Sequence, residues 1–367
     1  MEFGFCFAAA PGRVNHVALA LFAAPEKMPG IRAYDIPAGQ NGGFDEPMFV
    51  RHFAEELAAL PDHVHTVIYS SEFCHSRLIE NAHVAKLAAL LRRHFASVRV
   101  LVYLRRQDEM ACSGYSILLR SGETGLEILP NVPDAAAAAN FRDLIWSYYF
   151  DYEVLLDRYA RAFGRHCIEP HIFAPNRLAD GNLVSDFLAA CSLPKWLGDG
   201  VHNRDCAIPA AGQHFLVRLN AYCAEADAVL PLEARGMCAS ILETNLRGRA
   251  RFPARADAER FYARFRLANE RVRAAWFPQQ TRLFAEDFSQ HPEASTACNE
   301  GADAEALRAA FVVVGELVPR ASSMSRCSCN SSGTAAGSVR WGRNPARSTT
   351  RGTSTPRREW RLGSGPG

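Results

Sequence analysis

The strongest constraint on this fold is an alternation of two hydrophobic patterns between residues 65 and 120. Apolar runs at 65–69 and 98–104 each precede a longer stretch, 78–95 and 107–120, in which apolar residues recur at helical spacing. Strands that alternate with helices need right-handed crossover connections, which produce a parallel sheet covered on both faces. The alternation therefore predicts an α/β protein.

The rest of the chain adds further helices and one more strand. The strand is predicted over 167–173, and Pro170 limits it to an edge or a bulge because proline has no backbone N–H to donate. Helices are predicted at about 46–60, 146–163, 181–190, 212–230 and 257–276. We therefore expect one α/β domain over residues 1–295, with a helical part from about residue 205.

The C-terminal segment has a different composition from the rest of the chain. From Ala321 onward, 25 of the last 47 residues are Ser, Thr, Gly or Pro, and Val339 and Leu362 are the only branched aliphatic residues. Such a segment buries too little apolar surface to offset the entropy lost on ordering. We expect residues 321–367 to be a disordered or frameshifted tail, preceded by a linker or short helix over 296–320.

The distribution of charge argues against nucleic-acid binding. The net charge of the whole chain is +2, but the last 48 residues hold nine Arg and one acidic residue. The remainder therefore has 32 basic against 38 acidic residues. Non-specific nucleic-acid binding needs a dense basic surface facing the phosphates, and a mildly acidic body does not provide one.

Cysteine usage and hydropathy predict a cytoplasmic protein. The eleven cysteines are scattered and form no CxxC pair, which is typical of reduced intracellular thiols. No apolar run approaches the roughly 20 residues that a membrane-spanning helix requires. We expect no membrane span and no signal peptide.

The end of the strand at 98–104 is a candidate anion site. Arg105 and Arg106 follow the strand, and Ser113 comes eight residues after Arg105, inside the next helix. An arginine at the carboxyl end of a parallel strand and a hydroxyl near the following helix N-terminus can face one phosphate, which the helix dipole also favours. The alternative is that Arg105 only pairs with Asp108 or Glu109.

The end of the strand at 65–69 carries two candidate general bases, Glu72 and His75. Ligands of open α/β sheets bind outside the carboxyl ends of the strands, so both strand ends are expected to line one cleft. Either side chain can take a proton from an acceptor hydroxyl. Alternatively, Glu72 only pairs with Arg77 and His75 is partly buried. A nucleophilic Cys74 is a weaker possibility.

These strand ends resemble bacterial sulfotransferase-like proteins. The resemblance rests on VIYSSE at 67–72 and VLVYLRRQDE at 100–109, is supported by YEVLLD at 152–157 and by 176–188 and 269–292, and covers about residues 3–295. It implies a P-loop-like three-layer parallel sheet and the donor 3′-phosphoadenosine-5′-phosphosulfate. Arg105 and Ser113 match the spacing of the residues that bind the donor's 3′-phosphate, and Arg106 lies beside them. The reaction implied needs no metal.

One departure from the family is large. Sulfotransferases begin with a strand and a Lys-Thr-Gly-Thr-Thr type of loop that holds the phosphosulfate, and none of Lys27, Lys86 and Lys195 lies in such a loop. We expect the missing segment to precede Met1, either because the start is placed too late or because the chain is a remnant. Without that strand, we expect a sheet that is incomplete at its N-terminus.

Two functions are therefore expected from the sequence. The first is transfer of a sulfuryl group to a hydroxyl of a carbohydrate or another small metabolite, and the second is binding of a nucleotide or anion without catalysis. Another P-loop nucleotide enzyme is disfavoured because the chain has no Walker lysine. Secondary candidates are a basic loop at 247–251 for anions and the aromatic residues around Trp146 for stacking on a sugar or adenine.

Overall fold

The structure is a computed structural model that describes residues 4–12, 15–28, 44–201, 208–226, 230–295 and 301–329. Residues 1–317 form one compact unit. Residues 318–367 form a second unit, of which only the helical backbone up to Cys329 is described.

The described part of the chain contains four short strands and thirteen α-helices. The first half runs β1 (Phe5–Phe7), α1 (Val17–Ala23), α2 (Glu46–Ala58), β2 (Thr66–Ile68), α3 (Phe73–Arg77), α4 (Asn81–His94), β3 (Val100–Leu104) and α5 (Gln107–Ser121). The second half runs α6 (Phe141–Tyr149), α7 (Tyr152–Phe163), β4 (Ile168–Ile172), α8 (Leu183–Ala190), α9 (Ala210–Glu225), α10 (Leu232–Asn245), α11 (Arg255–Ala263), α12 (Arg266–Trp276) and α13 (Ala302–Cys329). The α/β class is confirmed, and most of the structure is helical.

The strands form two separate parallel pairs rather than one sheet. β1 pairs with β2, with Cys6 opposite Val67, and β3 pairs with β4, with Val102 opposite Pro170. No three-layer sheet is formed by the described residues, which corrects the expectation of one. The strand pairs stay separate because the hydrogen-bonded ladders are limited. β1 and β2 have only three residues each, and no ladder hydrogen bonds join β2 to β3.

Helices supply most of the core around the two strand pairs. All seven residues of α1 are buried, because this segment, Val17–Ala23, has no polar side chain that must reach water. Phe49 and Phe53 of α2 are fully buried, and one face of α4 packs with α7 in the same apolar cluster. A second cluster joins α5 to α9, α10 and α13. The sequence pattern did not predict α1 or α10.

Two of the predicted long helices are each divided into two. The predicted helix at 146–163 breaks between α6 and α7 at Phe150 and Asp151, where the Asp151 carboxylate accepts a hydrogen bond from the N–H of Val154 and caps α7. The predicted helix at 257–276 is divided into α11 and α12. The first break is important for the site, because it exposes the last carbonyls of α6 to other donors.

The C-terminal predictions fall partly outside the described residues. Helix α13 covers part of the expected linker at 296–320 and extends over residues 321–329 of the expected tail. Residues 330–367 of that tail lie outside the described residues. None of the described helices has the length and apolar character needed to cross a membrane.

Candidate functional site

Residues from the two predicted strand-end sites, at 70–77 and 105–113, contact the same break between α6 and α7, although β2 and β3 belong to different sheets. His75 Nε2 donates a hydrogen bond of 2.9 Å to the carbonyl of Tyr149. At the other strand-end site, the Tyr152 hydroxyl donates to the Arg105 carbonyl at 2.6 Å, and Gln107 donates to the Phe150 carbonyl at 3.2 Å. The carbonyls left open at the end of α6 therefore bring residues from both strand ends to one place.

Glu72 is exposed and is held by a neutral partner. Its carboxylate accepts a hydrogen bond from the Asn15 side chain at 3.1 Å, and its backbone N–H donates to the Asn15 side-chain oxygen, also at 3.1 Å. Asn15 has a φ of 53°, in the left-handed region that Asn tolerates better than most residues. Asn15 was not predicted as part of the site.

His75 is held against Tyr149 by ring stacking as well as by its hydrogen bond. The two rings are 4.4 Å apart at an angle of 18°. Burial and, to a lesser extent, the nearby Arg158 charge lower the pKa of His75 to about 4, although the hydrogen bond to the Tyr149 carbonyl opposes this shift. The imidazole is therefore neutral at pH 7 and carries its proton on Nε2, because that atom donates to a carbonyl. Only Nδ1 can accept another proton.

The same neighbourhood shifts the pKa of two other groups. Burial and the negative charge of Glu72 raise the pKa of Tyr149 above its usual value, so the Glu72 carboxylate lies within electrostatic range of that ring. Burial raises the pKa of Cys74 to about 12. The Cys74 thiol is therefore protonated at neutral pH, which makes it unsuited to nucleophilic attack.

Arg105 is half-buried at the carboxyl end of β3. Its Nε lies 3.3 Å from the Glu109 carboxylate, and its guanidinium packs 5.1 Å from the centre of the Phe173 ring. Of the two acidic partners expected from the sequence, Glu109 is the one observed. Ser113 lies one turn beyond Glu109 on the same face of α5 and is also half-buried. An incoming phosphate would therefore compete with Glu109 for Arg105.

Arg106 differs from Arg105 in that it is buried and fully engaged. It is 4% exposed and makes two hydrogen bonds to the Asp108 carboxylate, at 2.7 and 2.9 Å. It also donates to the carbonyls of Ala285 and Asp287, and it lies 4.2 Å from the centre of the Phe288 ring. Through these contacts, Arg106 holds residues 285–288 against the start of α5.

The sequence did not single out two residues that join this cluster, His291 and Gln290. His291 Nε2 lies 2.8 Å from the Asp108 carboxylate, and both side chains are buried. Gln290 donates to Glu109 at 3.1 Å, and its carbonyl accepts a hydrogen bond of 2.6 Å from Arg249. The one available signal was the basic run at 247–251, which brings Arg249 close to the Arg105–Glu109 pair.

All three lysines form ion pairs with carboxylates outside the strand-end segments 70–77 and 105–113. Lys27 pairs with Glu80 at 2.9 Å, Lys86 with Glu46 at 2.8 Å, and Lys195 with Asp180 at 3.3 Å. Within those two segments, the side chains that carry a permanent positive charge are arginines.

One cluster of metal-type ligands occurs among the described residues. The ligand atoms of Glu26, Glu80 and His83 lie within 4.8 Å of one another. However, the Glu80 backbone N–H donates to His83 Nδ1 at 3.3 Å, so the proton of a neutral ring is on Nε2, which faces Glu26 at 2.8 Å. A metal needs the lone pair of that nitrogen. The arrangement suits a hydrogen-bonded cluster better than a metal site.

The fold and the site together define a mostly helical α/β protein with polar residues grouped at the ends of two parallel strand pairs. No family model, no curated protein and no solved structure matches this chain.

Proposed function

We propose that the protein is a sulfotransferase-like protein that binds 3′-phosphoadenosine-5′-phosphosulfate and transfers its sulfuryl group to a hydroxyl. The observation that carries the proposal is the placement of Arg105 at the carboxyl end of a parallel strand, with Ser113 on the following helix. Arg105 and Ser113 would bind the 3′-phosphate of the donor. A P-loop-like relationship between the two strand pairs belongs to the same proposal.

In the proposed reaction, the acceptor hydroxyl loses its proton as its oxygen attacks sulfur. A new S–O bond forms, the bond from sulfur to the 5′-phosphate oxygen breaks, and adenosine 3′,5′-bisphosphate leaves. The proton goes to Glu72 or to His75 Nδ1. Glu72 is the better candidate because its carboxylate is exposed, whereas burial lowers the pKa of His75 to about 4. We propose a carbohydrate or small hydroxylated metabolite as acceptor, and the cytoplasm as location.

Calorimetric titration with adenosine 3′,5′-bisphosphate tests the binding step. Arg105→Ala should abolish binding, and Ser113→Ala should weaken it by about ten- to a hundredfold, since a hydrogen bond to a charged group contributes about 1.5–3 kcal/mol. Arg51→Ala is the matched control, because Arg51 also faces a glutamate four residues later, at 4.0 Å, on the exposed face of α2. Unchanged affinity in Arg105→Ala would remove the site assignment.

The second candidate function is nucleotide or anion binding without sulfuryl transfer. It is favoured by the three lysines, each of which pairs with a carboxylate outside the strand-end segments, because charge on the bridging oxygen would then lack a lysine. Incubation with the donor and a panel of hydroxylated acceptors separates the two functions. Turnover that Glu72→Gln reduces supports transfer, whereas binding without turnover supports the second function.

A further inference from the structure

A cleft of about 600 Å³ has a lining that includes neither Arg105 nor Ser113. It is formed by the segment 126–129, by the first residues after the basic loop and by α11. The cleft wall at Arg251 contacts Tyr115 of α5. Ser113 and Tyr115 are two residues apart, which places them about 200° apart around the helix axis. The cleft is therefore separate from the proposed phosphate site.

The floor of the cleft is apolar. Ile128 and Phe261 contribute buried side chains, 5% and 6% exposed, and Leu126, Leu129 and Pro253 complete this surface. Burying apolar surface stabilises a bound ligand by about 25 cal/mol per Å². A volume of this size holds a ligand with one or two rings.

The rim of the cleft is cationic. Arg251, Arg260 and Arg264 line it together with two carboxylates, Glu127 and Asp257. Arg260 forms an ion pair with Asp257, whereas Arg264 donates to a neutral acceptor, the carbonyl of Val132. The lining therefore has an excess of one positive charge, which favours an anionic ligand.

Partly buried hydrogen bonds hold Arg251 in position. Its Nη1 donates to the Tyr115 hydroxyl at 2.5 Å, and its backbone N–H donates to the Gln213 side chain at 2.9 Å. Gln213, which is 1% exposed, in turn donates to the Ser116 hydroxyl at 2.7 Å. Most surface arginines are free to change rotamer, but a supported side chain loses little entropy when it binds a ligand.

We propose that this cleft binds a small organic anion with a flat apolar body, such as an aryl sulfonate, sulfate or carboxylate. The apolar floor takes the ring system, and Arg251 and Arg264 take the anionic group. The site is independent of the proposed nucleotide site, so it stands whether or not the chain transfers sulfuryl groups.

The test is calorimetric titration of the full chain with naphthalene-2-sulfonate. One molecule should bind per chain, and the neutral isostere naphthalene-2-sulfonamide should bind at least tenfold more weakly. Arg264→Met and Arg251→Met should each lower the affinity for the sulfonate about tenfold. Arg266→Met is the control, because Arg266 is exposed, pairs with Glu286 at 2.7 Å and does not line the cleft.

A saturating concentration of adenosine 3′,5′-bisphosphate should leave sulfonate binding unchanged. Three results would overturn the proposal: no saturable binding of the sulfonate, an equal loss in the Arg266 control, or displacement of the sulfonate by the nucleotide. Loss of nucleotide binding in Arg105→Ala, with sulfonate binding retained, would confirm that the two sites are separate.

Discussion

Replacing Asp108 by asparagine removes the carboxylate at the centre of a buried hydrogen-bonded group. The Asp108 carboxylate accepts hydrogen bonds from Arg106 at 2.7 and 2.9 Å, and His291 Nε2 lies 2.8 Å from it. Asp108 and His291 are 0% and 1% exposed. The group connects the first turn of α5 to a segment about 180 residues later in the chain, so its loss affects tertiary structure rather than one helix.

The expected cost follows from the charge that is left behind. Asparagine offers one oxygen where the carboxylate offers two, and its NH₂ group would face donors of Arg106 or His291. The Arg106 guanidinium would then keep the longer ion pair with Glu109, at 3.5 Å. Removing one partner of a buried ion pair costs about 3–5 kcal/mol. That is a large part of the roughly 5–15 kcal/mol by which a typical protein is stable.

Urea unfolding at pH 7 measures this cost for Asp108→Asn against Asp157→Asn. Asp157 pairs with Arg161 one turn away, with side chains 58% and 66% exposed, so its loss should cost at most about 1 kcal/mol. We expect the free energy of unfolding to fall by about 3–5 kcal/mol in the first variant only. Equal losses in the two variants would show that Asp108 is not a buried, charge-bearing partner of Arg106.

The pH dependence gives a second test of the same group. Burial alone would raise the pKa of the Asp108 carboxyl, but the hydrogen bonds from His291 and Arg106 outweigh burial and lower it below the usual 3.8. A carboxyl with a lowered pKa in the folded state contributes stability at neutral pH. That contribution is lost as the pH falls below about 4 and through the lower pKa of the folded state. Asp108→Asn should lack this part of the acid destabilisation.

Two further predictions concern the candidate site. Glu109→Gln removes the carboxylate 3.3 Å from Arg105, so affinity for adenosine 3′,5′-bisphosphate should rise several-fold by calorimetry, while Glu55→Gln should leave it unchanged; an unchanged affinity in Glu109→Gln would argue against Arg105 as an anion ligand. The pKa of His75 is about 4 in the folded protein, against about 6.5 when unfolded, so the unfolded chain takes up the proton first as the pH falls. Stability should therefore decrease between pH 6.5 and 4, and less so in His75→Gln than in the control His63→Gln; the same pH dependence in both variants would contradict the buried environment of His75.

Local patterns in the sequence were sufficient to locate the elements that carry the site. The predicted strand at 98–104 is β3 (Val100–Leu104), and the predicted helix at 107–120 is α5 (Gln107–Ser121). Both have strong periodicity, and each is bounded by polar residues. The pairing of the strands could not be predicted, because it depends on distant segments that local periodicity does not encode. The separate pairs β1–β2 and β3–β4 are the result.

The roles of neighbouring residues in the site were harder to predict for the same reason. Arg105 and Arg106 are adjacent in sequence, and only the segment around Ala285 and Asp287 decides that Arg106 is the buried one. The environment of His75 depends on the break between α6 and α7. A signal for that break did exist, since Asp151 immediately precedes α7, and aspartate is favoured at the N-cap position of a helix.

Helix α7 provides the connection that a continuous sheet would otherwise provide. Tyr152 donates to the Arg105 carbonyl at 2.6 Å, and Tyr159, two turns later on the same face, donates to the Cys74 carbonyl at 2.8 Å. Each of these bonds contributes about 1 kcal/mol net, and both tyrosine rings are buried. Moving one strand end away from the other must therefore break a hydrogen bond at a buried phenol. The distance between the candidate base Glu72, two residues before Cys74, and the candidate anion site at Arg105 is consequently set by the packing of a helix rather than by a ladder of strands.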